Sequence, residues 1–253
     1  DFYNTFFRQF FKHIVVLAAA GTSLDNGPHK GKTRDGLWES GRNVIKQLYK
    51  ELSPCNEKLK RIAKDKDIEA LLSHVLLVEK VDEAKTSQLK PLREQLERII
   101  RGACQLTLDM TNAPHKTFLD KITARKASEP RVQLFTTNYD TLFEQAAQKG
   151  GYAVIDGFSF TSPRTFSGRY FDYDIVQRER TRLEESFVSK VFHLYKMHGS
   201  LTWEKTEQGM VQQVNSTESP LIVYPASDKY ESSYEQPYFE MMSRFQQALR
   251  REN

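Results

Sequence analysis

The chain has 253 residues, of which 39% are hydrophobic and 28% are charged, and its formal net charge is +4. This composition is that of an ordinary globular protein, and the length suits one large domain with a substantial core. The basic residues are dispersed, which argues against direct nucleic-acid binding, and no stretch approaches the roughly 18 apolar residues of a membrane span.

The first predicted element is a buried strand at 14–17, a short run of mainly β-branched residues. It leads into the small residues Ala18-Ala19-Ala20-Gly21-Thr22-Ser23 and then into an irregular loop that contains Asp25. Small residues let backbone N–H groups approach a phosphate, and a following helix can add its positive end. The ordinary interpretation is a tight turn between strand and helix, because the segment is not a GxGxxG motif.

A helical period replaces the strand pattern from about Leu37 to Thr111. Three apolar stripes recur at helical spacing and begin at Val44, Ile68 and Leu92. No strong strand signal interrupts this stretch. We therefore predict a helical insertion of about three helices over residues 37–111, much longer than a connection between two strands requires.

A second strand is predicted at 132–135, after a helix that begins at Pro114. The strand ends in Thr136-Thr137-Asn138-Tyr139-Asp140, and a helix starts at once, with Thr141 and Glu144 at capping-box spacing. A third short strand follows at 152–155.

The aromatic-rich segment 158–173 shows no clean period and is interpreted as a long structured loop. It is either a lid over a site or a self-packed surface loop. A fourth strand is predicted at 191–197, followed by His198-Gly199-Ser200, and a fifth at 221–224. The final helix is predicted at 238–249, with four inward residues: Phe239, Met242, Phe245 and Leu249. Strands that alternate with helices predict an α/β fold with a mainly parallel sheet.

Three polar motifs follow three predicted strands, and ligands of open α/β sheets bind at the carboxyl ends of the strands. Each motif has an ordinary interpretation by itself. Asn138 and Asp140 are common helix N-caps, and His198 could be a structural histidine. Their joint placement with the turn at 18–23 favours a cleft that processes a nucleotide.

These motifs resemble those of the sirtuin superfamily: Ala20–Ser23 its nucleotide-binding turn, Thr136–Asp140 its asparagine/aspartate motif and Lys196–Ser200 its histidine-glycine motif. The longer sequences TTNYDTLFE, LYKMHGSLTW and YPASDKY are similar to bacterial sirtuin-like NAD⁺-hydrolysing domains of antiphage defence. Such domains occur alone, beside short Argonautes or with HerA-like ATPases. The resemblance extends from Val15 to about Met242 and implies a Rossmann-like fold.

The sequence departs from this family at three places. It has Ala19-Ala20-Gly21 where the family usually has Gly-Ala-Gly, so the Ala19 methyl could crowd a pyrophosphate or oppose a positive φ. Cys55 and Cys104 form no CxxC pair and no cysteine follows Cys104, so the zinc site of the deacetylases is not expected. The strand and Gly-Ser turn on the adenosine side would follow Leu249, so we expect one domain over 1–253 that lacks the C-terminal part of its sheet and belongs to a longer protein.

The resemblance implies an NAD⁺ hydrolase that cleaves the nicotinamide–ribose bond, gives nicotinamide and ADP-ribose, and depletes NAD⁺ in antiphage defence. It implies that Asn138 holds the ribose or the attacking water, that Asp140 orients the nicotinamide or its loop, and that His198 acts as general base. NAD⁺ is the expected substrate, with no metal. The residues expected to bind it are Ala19, Ala20, Gly21, Thr22, Ser23, Asp25, Thr137, Tyr139 and Gly199.

Two other functions remain open. A sirtuin-type deacylase would use acyl-lysine in place of water, and a non-catalytic scaffold or sensor would only bind NAD⁺ or ADP-ribose. The resemblance also implies a homo-oligomer, or a HerA-like ATPase as partner, with the insertion serving either as an assembly surface or as a cap over the cleft. Two free thiols suit a cytoplasmic protein, and no membrane or nucleic-acid partner is expected.

Overall fold

The computed structural model of the chain describes residues 12–52, 56–178, 185–223 and 235–250. Cys55 and the YPASDKY motif at 224–230 lie outside the described residues. The helices are α1 (Arg34–Ser40), α2 (Arg42–Glu51), α3 (Glu57–Asp65), α4 (Ile68–Val81), α5 (Glu83–Cys104), α6 (Pro114–Ile122), α7 (Leu142–Gly150) and α8 (Tyr238–Arg250). The strands are β1 (Val15–Ala18), β2 (Gln133–Thr136), β3 (Ala153–Ile155), β4 (Arg164–Thr165), β5 (Val176–Arg178), β6 (Glu185–Phe187), β7 (Val191–Lys196), β8 (Trp203–Lys205) and β9 (Val211–Gln213).

The main sheet has the strand order β1-β2-β7-β3, and all its neighbouring strands are parallel. This confirms the predicted α/β class and is consistent with a Rossmann-like fold. Its register aligns Ala18 with Thr136 and Thr136 with Lys196, so β1, β2 and β7 end level with one another. The segments that follow these three strands therefore emerge at one edge of the sheet.

The fifth predicted strand is wrong for the part of 221–224 that the structure describes. Ile222 forms only an isolated antiparallel bridge with Gly199, and Tyr224 lies outside the described residues. Val223 N donates to His198 O at 2.9 Å, and Ser200 N donates to Leu221 O at 3.2 Å. The β-branched run therefore pairs with the turn after β7 instead of extending the parallel sheet.

Five helices, α1 to α5, lie between Arg34 and Cys104, where the sequence predicts about three. The three predicted stripes correspond to α2, α4 and α5, and the two helices that the sequence did not predict are the short helices α1 and α3. Gly41 joins α1 to α2, and Asp82 ends α4 while its side chain caps α5. These helices bury an apolar core of their own, distinct from the two cores that pack against the sheet. No helix of the described ranges is long and apolar enough to cross a membrane.

Helix α8 forms as predicted, but its buried face differs from the predicted one. Phe239 and Leu249 are 50% and 64% exposed, whereas Met241 is fully buried. Met242 and Phe245 do pack against the core, and Phe245 contacts the Phe135 ring of β2 at 5.0 Å between centroids. Apolar residues occupy two adjacent stripes of this helix, so its periodicity could not say which stripe meets the sheet.

The aromatic segment 158–173 contains β4 and a short 3-10 turn at Gly168–Asp172. Phe158 and Phe171 are buried, and Phe171 stacks on Tyr195 of β7 at 4.3 Å. β4 also joins the small antiparallel sheet β4-β9-β8. The segment therefore contributes to the core on the sheet, whereas its composition had left open a lid over a site or a self-packed surface loop.

Candidate active site

The segments after β1, β2 and β7 meet at the carboxyl edge of the sheet. Thr137 N donates to Ala18 O at 3.1 Å, and Met197 N donates to Thr136 O at 2.9 Å, so the three strand ends are hydrogen-bonded to one another. A cavity of about 210 Å³ opens at this edge. Of the predicted site residues it is lined by Ala20, Ser23, Thr137, Asn138, Tyr139, Asp140 and His198.

Asn138 connects the second motif to the small-residue turn. The two N–H groups of its Nδ2 are shared among three acceptors, Ser23 Oγ at 2.9 Å, Thr22 Oγ1 at 3.1 Å and Ala19 O at 3.2 Å. Its backbone N–H donates to Thr136 Oγ1 at 3.1 Å. Because side chain and backbone are both held, Asn138 has a defined orientation at the floor of the cavity.

Asp140 is a buried anchor between the same two segments. Ser23 Oγ donates to its Oδ2 at 2.7 Å, and Leu142 N donates to its Oδ1 at 3.1 Å. Asp140 therefore caps the start of α7. The predicted capping box of Thr141 and Glu144 is wrong, since the Thr141 hydroxyl instead accepts from Gln145 Nε2 at 2.9 Å. With both oxygens bonded inside the protein, Asp140 positions its neighbours.

Tyr139, which lies between Asn138 and Asp140 in the chain, connects this segment to the residues after β7. Its hydroxyl donates to Val223 O at 2.7 Å, and its carbonyl accepts from Leu201 N at 3.1 Å. The asparagine/aspartate segment is thereby joined to the chain on both sides of the antiparallel bridge after β7.

His198 lines the cavity directly after β7, and Gly199 allows the chain to turn there. Gly199 has φ +84°, a left-handed conformation that side chains rarely adopt. A Cβ at this position would lie 2.1 Å from Leu221 O. Glycine is therefore required twice over: by the turn itself and by the backbone packed against it. Gly199 does not line the cavity among the described residues, so it acts by shaping the His198 turn.

The small-residue turn forms a 3-10 turn at Ala20–Ser23. Ala19 has φ −137° and ψ −172°, an extended conformation open to any residue, so its methyl group causes no backbone strain. Gly21 and Thr22 line a neighbouring cavity of about 430 Å³ together with Asp25. The predicted cofactor-binding residues are therefore divided between two adjacent cavities, and Ala19 lines neither of them in the described part of the chain.

The roof of the cavity that contains Asn138, Asp140 and His198 comes from the helical region, as one of the two interpretations of the insertion expected, but the residues that form it were not predicted from sequence. Apolar side chains of α1, α4 and α5 cover the three motifs: Leu37, Ile68, Leu72, Ile100 and Ala103. Lys32 and Glu69 add charged groups to the lining. The helical region therefore covers the cleft as a cap.

Cys104 also lies in this lining. Burial, reinforced by the negative charge of Asp140, raises the pKa of its thiol to about 11. A thiol that stays protonated at neutral pH is a poor nucleophile, so Cys104 contributes apolar surface. Among the described residues, no group of three or more His, Cys, Asp or Glu side chains is arranged to hold a metal ion.

Lys196, the last residue of β7, is the second feature that sequence reasoning missed. It is only 3% exposed, and its Nζ donates to Glu144 Oε1 at 2.9 Å and to the backbone oxygen of Asp140. Burial raises the pKa of Glu144, and the Lys196 charge opposes that shift. The signal in the sequence was a lysine at the end of a strand that is otherwise mostly apolar.

A parallel sheet with polar turns at its carboxyl edge places the chain in the Rossmann-like class of α/β folds, whose ligands bind at that edge. Residues 132–253 match the family model of the SIR2-like domain. The match covers just under half of the chain and supports a sirtuin-like relationship for that part; SIR2-like domains bind NAD⁺ and include NAD⁺-dependent enzymes. The matched region contains the second and third motifs, whereas the turn at 20–23 precedes it. No curated protein is significantly similar to the chain.

Proposed function

We propose that this chain is an NAD⁺ glycohydrolase, which cleaves the bond between nicotinamide and the ribose C1′ and releases nicotinamide and ADP-ribose. The observation that carries the proposal is the convergence of Asn138, Asp140 and His198 on one roofed cavity at the carboxyl edge of the sheet. The SIR2-like match of residues 132–253 supports NAD⁺ as the substrate.

In the proposed reaction the nicotinamide nitrogen leaves with the electron pair of the C–N bond, and a water oxygen bonds to C1′. The proton of that water passes to the His198 imidazole, which acts as general base. The Asn138 side chain, held by Ser23 and Thr22, orients the ribose or the water. Asp140 keeps the Asn138 turn in place through Ser23.

The cap supports hydrolysis on chemical grounds. An apolar roof keeps bulk water from the charge that develops on the ribose, while a single bound water suffices as nucleophile. At about 210 Å³ the cavity is smaller than the roughly 300–1,000 Å³ of typical small-molecule sites. It suits the nicotinamide and its ribose, with the rest of the dinucleotide lying over the Ala20–Ser23 turn.

The test is incubation of the purified chain with NAD⁺ and chromatography of the products, with and without an acetylated peptide. We expect nicotinamide and ADP-ribose in equal amounts and no dependence on the peptide. His198→Ala should abolish the release, whereas Cys104→Ser, a small change in the same cavity, should leave it unchanged. Release that requires the peptide would indicate a deacylase, and NAD⁺ binding without turnover would indicate a scaffold or sensor.

We also propose that this activity serves antiphage defence in the cytoplasm by depleting NAD⁺, as the sequence resemblance implies. A constantly active hydrolase would consume the cell's own cofactor, so activity should depend on assembly as a homo-oligomer or with a HerA-like ATPase. Such control requires that the partner bind the active and inactive conformations with different affinity. Light scattering and NAD⁺ turnover over one concentration series, with and without the ATPase, test this, and equal specific activity in monomer and assembly would exclude it.

A further inference from the structure

Lys196 lies beneath the candidate active site, and its ammonium group is enclosed by three acceptors. Its Nζ donates to Glu144 Oε1 at 2.9 Å, to Tyr139 O at 3.4 Å and to Asp140 O. A lysine has three N–H donors, so each finds an acceptor within the protein. Two of the three acceptors are backbone carbonyls of the asparagine/aspartate turn.

The contacts continue from Asp140 to the first motif. While the Asp140 carbonyl accepts from Lys196, its carboxylate accepts from Ser23 Oγ at 2.7 Å. Ser23 Oγ in turn accepts from Asn138 Nδ2 at 2.9 Å. One buried cation is thus connected, through hydrogen bonds on either side of Asp140, to both turns that form the floor of the cavity.

The position of Lys196 in the chain connects these two turns to the third motif, which contains His198. Lys196 precedes His198 by two residues and is the last residue of β7, and its backbone oxygen accepts from Gly199 N at 3.2 Å. A shift of its side chain relative to the backbone would change the separation of His198 and Asn138. Leu201 N, in the segment after β7, also donates to the Tyr139 carbonyl at 3.1 Å, whereas among the described residues it is Lys196 that joins β7 to the Asp140 carbonyl.

We propose that Lys196 is a positioning residue: its buried ammonium holds the Asn138–Asp140 turn at a fixed distance from His198. This inference rests on the proposed hydrolase function, since a fixed separation matters only where the two side chains act on one substrate. The ion pair with Glu144 keeps the ammonium in place, and the bonds to the carbonyls do the positioning.

The decisive variant is Lys196→Met, which keeps the length and apolar stem of the side chain and removes its donors. Misplacing a reacting group by about 1 Å can cost roughly 100-fold in rate, so we expect kcat to fall roughly 10- to 100-fold with little change in KM. Lys196→Arg, which restores charge and donors, should recover at least part of that loss. Lys190→Met is the matched control, because Lys190 Nζ also donates to a backbone carbonyl, Gly150 O at 2.7 Å, but away from the site.

Hydrogen exchange gives a readout that does not depend on activity. In Lys196→Met the amides of the 138–142 turn should exchange faster, while those of α4 stay protected as in the wild type. Unchanged kcat, or an equal fall in kcat for Lys190→Met, would overturn the proposal, as would unchanged exchange at 138–142. If Lys196→Met does not fold, Glu144→Gln decides. This variant removes the ion pair but keeps both carbonyl bonds, so kcat should fall only slightly while the amides of α7 exchange clearly faster. A fall in kcat as large as that expected for Lys196→Met would overturn the positioning role.

The two proposals can fail separately. If the wild type releases no nicotinamide, alone or with a partner, the hydrolase proposal fails. Faster exchange confined to 138–142 in Lys196→Met would then still show that Lys196 holds the turn. If the wild type is active and Lys196→Met equals it, the positioning role is wrong and the hydrolase proposal stands.

Discussion

Replacing Gly199 with alanine should destabilise the protein far more than the same change at Gly209. Both glycines have nearly the same left-handed backbone, with φ +84° and +80°. They differ in what an added Cβ would meet: Leu221 O at 2.1 Å for Gly199, and nothing within 4 Å for Gly209. The pair therefore separates backbone strain from steric exclusion.

The expected magnitude follows from these contacts. A residue other than glycine in this region of φ costs about 1–3 kcal/mol, and both variants incur that cost. In Gly199→Ala the segment 221–223 must also move away, which breaks the hydrogen bonds Ser200 N to Leu221 O and Val223 N to His198 O. At about 0.5–1.5 kcal/mol for each bond, the loss in unfolding free energy totals about 2–6 kcal/mol for Gly199→Ala, against about 1–3 kcal/mol for Gly209→Ala.

The assay is urea unfolding of wild type and both variants under identical conditions, followed by nicotinamide release from the folded fraction. Gly199→Ala should lower the unfolding free energy by clearly more than Gly209→Ala does. It should also lose turnover, because the displaced turn carries His198. Equal losses of unfolding free energy in the two variants would refute the steric argument.

Three further predictions concern the site and its pH dependence. Ser23→Ala removes the donor to Asp140 and the acceptor for Asn138; it should lower unfolding free energy by about 1–3 kcal/mol and reduce nicotinamide release, and a variant equal to wild type in both would contradict the network. Asn138→Ala should abolish nicotinamide release while circular dichroism stays that of the wild type, and retained turnover would reject its role. Burial lowers the pKa of His193 from about 6.5 to about 4. As pH decreases, the unfolded chain therefore binds a proton at His193 before the folded chain does. The free energy of unfolding falls by up to about 3 kcal/mol as pH decreases from about 6.5 to about 4. His193→Gln should show a shallower fall in urea unfolding at pH 7, 6, 5 and 4, and an unchanged slope would contradict this assignment.

Local patterns determined the elements and the places where polar motifs follow them. The β-branched and apolar runs predicted the four parallel strands, and Pro114 predicted the start of α6. Because parallel strands end at one edge of a sheet, the order of strand and motif along the chain sufficed to bring Asn138 and His198 into one cavity. Strand period and turn chemistry are properties of neighbouring residues, so they can be read without the fold.

Contacts between distant residues depended on the tertiary structure. Ser23 and Asp140 are 117 positions apart, and no local pattern selects Ser23 Oγ over Thr141 as the partner of that carboxylate. The residues of the apolar roof also depended on the tertiary structure, since the sequence at Ile68 and Leu72 shows only that α4 has an apolar face. Whether a face meets another helix, a sheet or a substrate depends on packing of the whole chain. The buried role of Lys196 is the clearest case, because a lysine at a strand end is ordinarily exposed and only the three acceptors around it account for its burial.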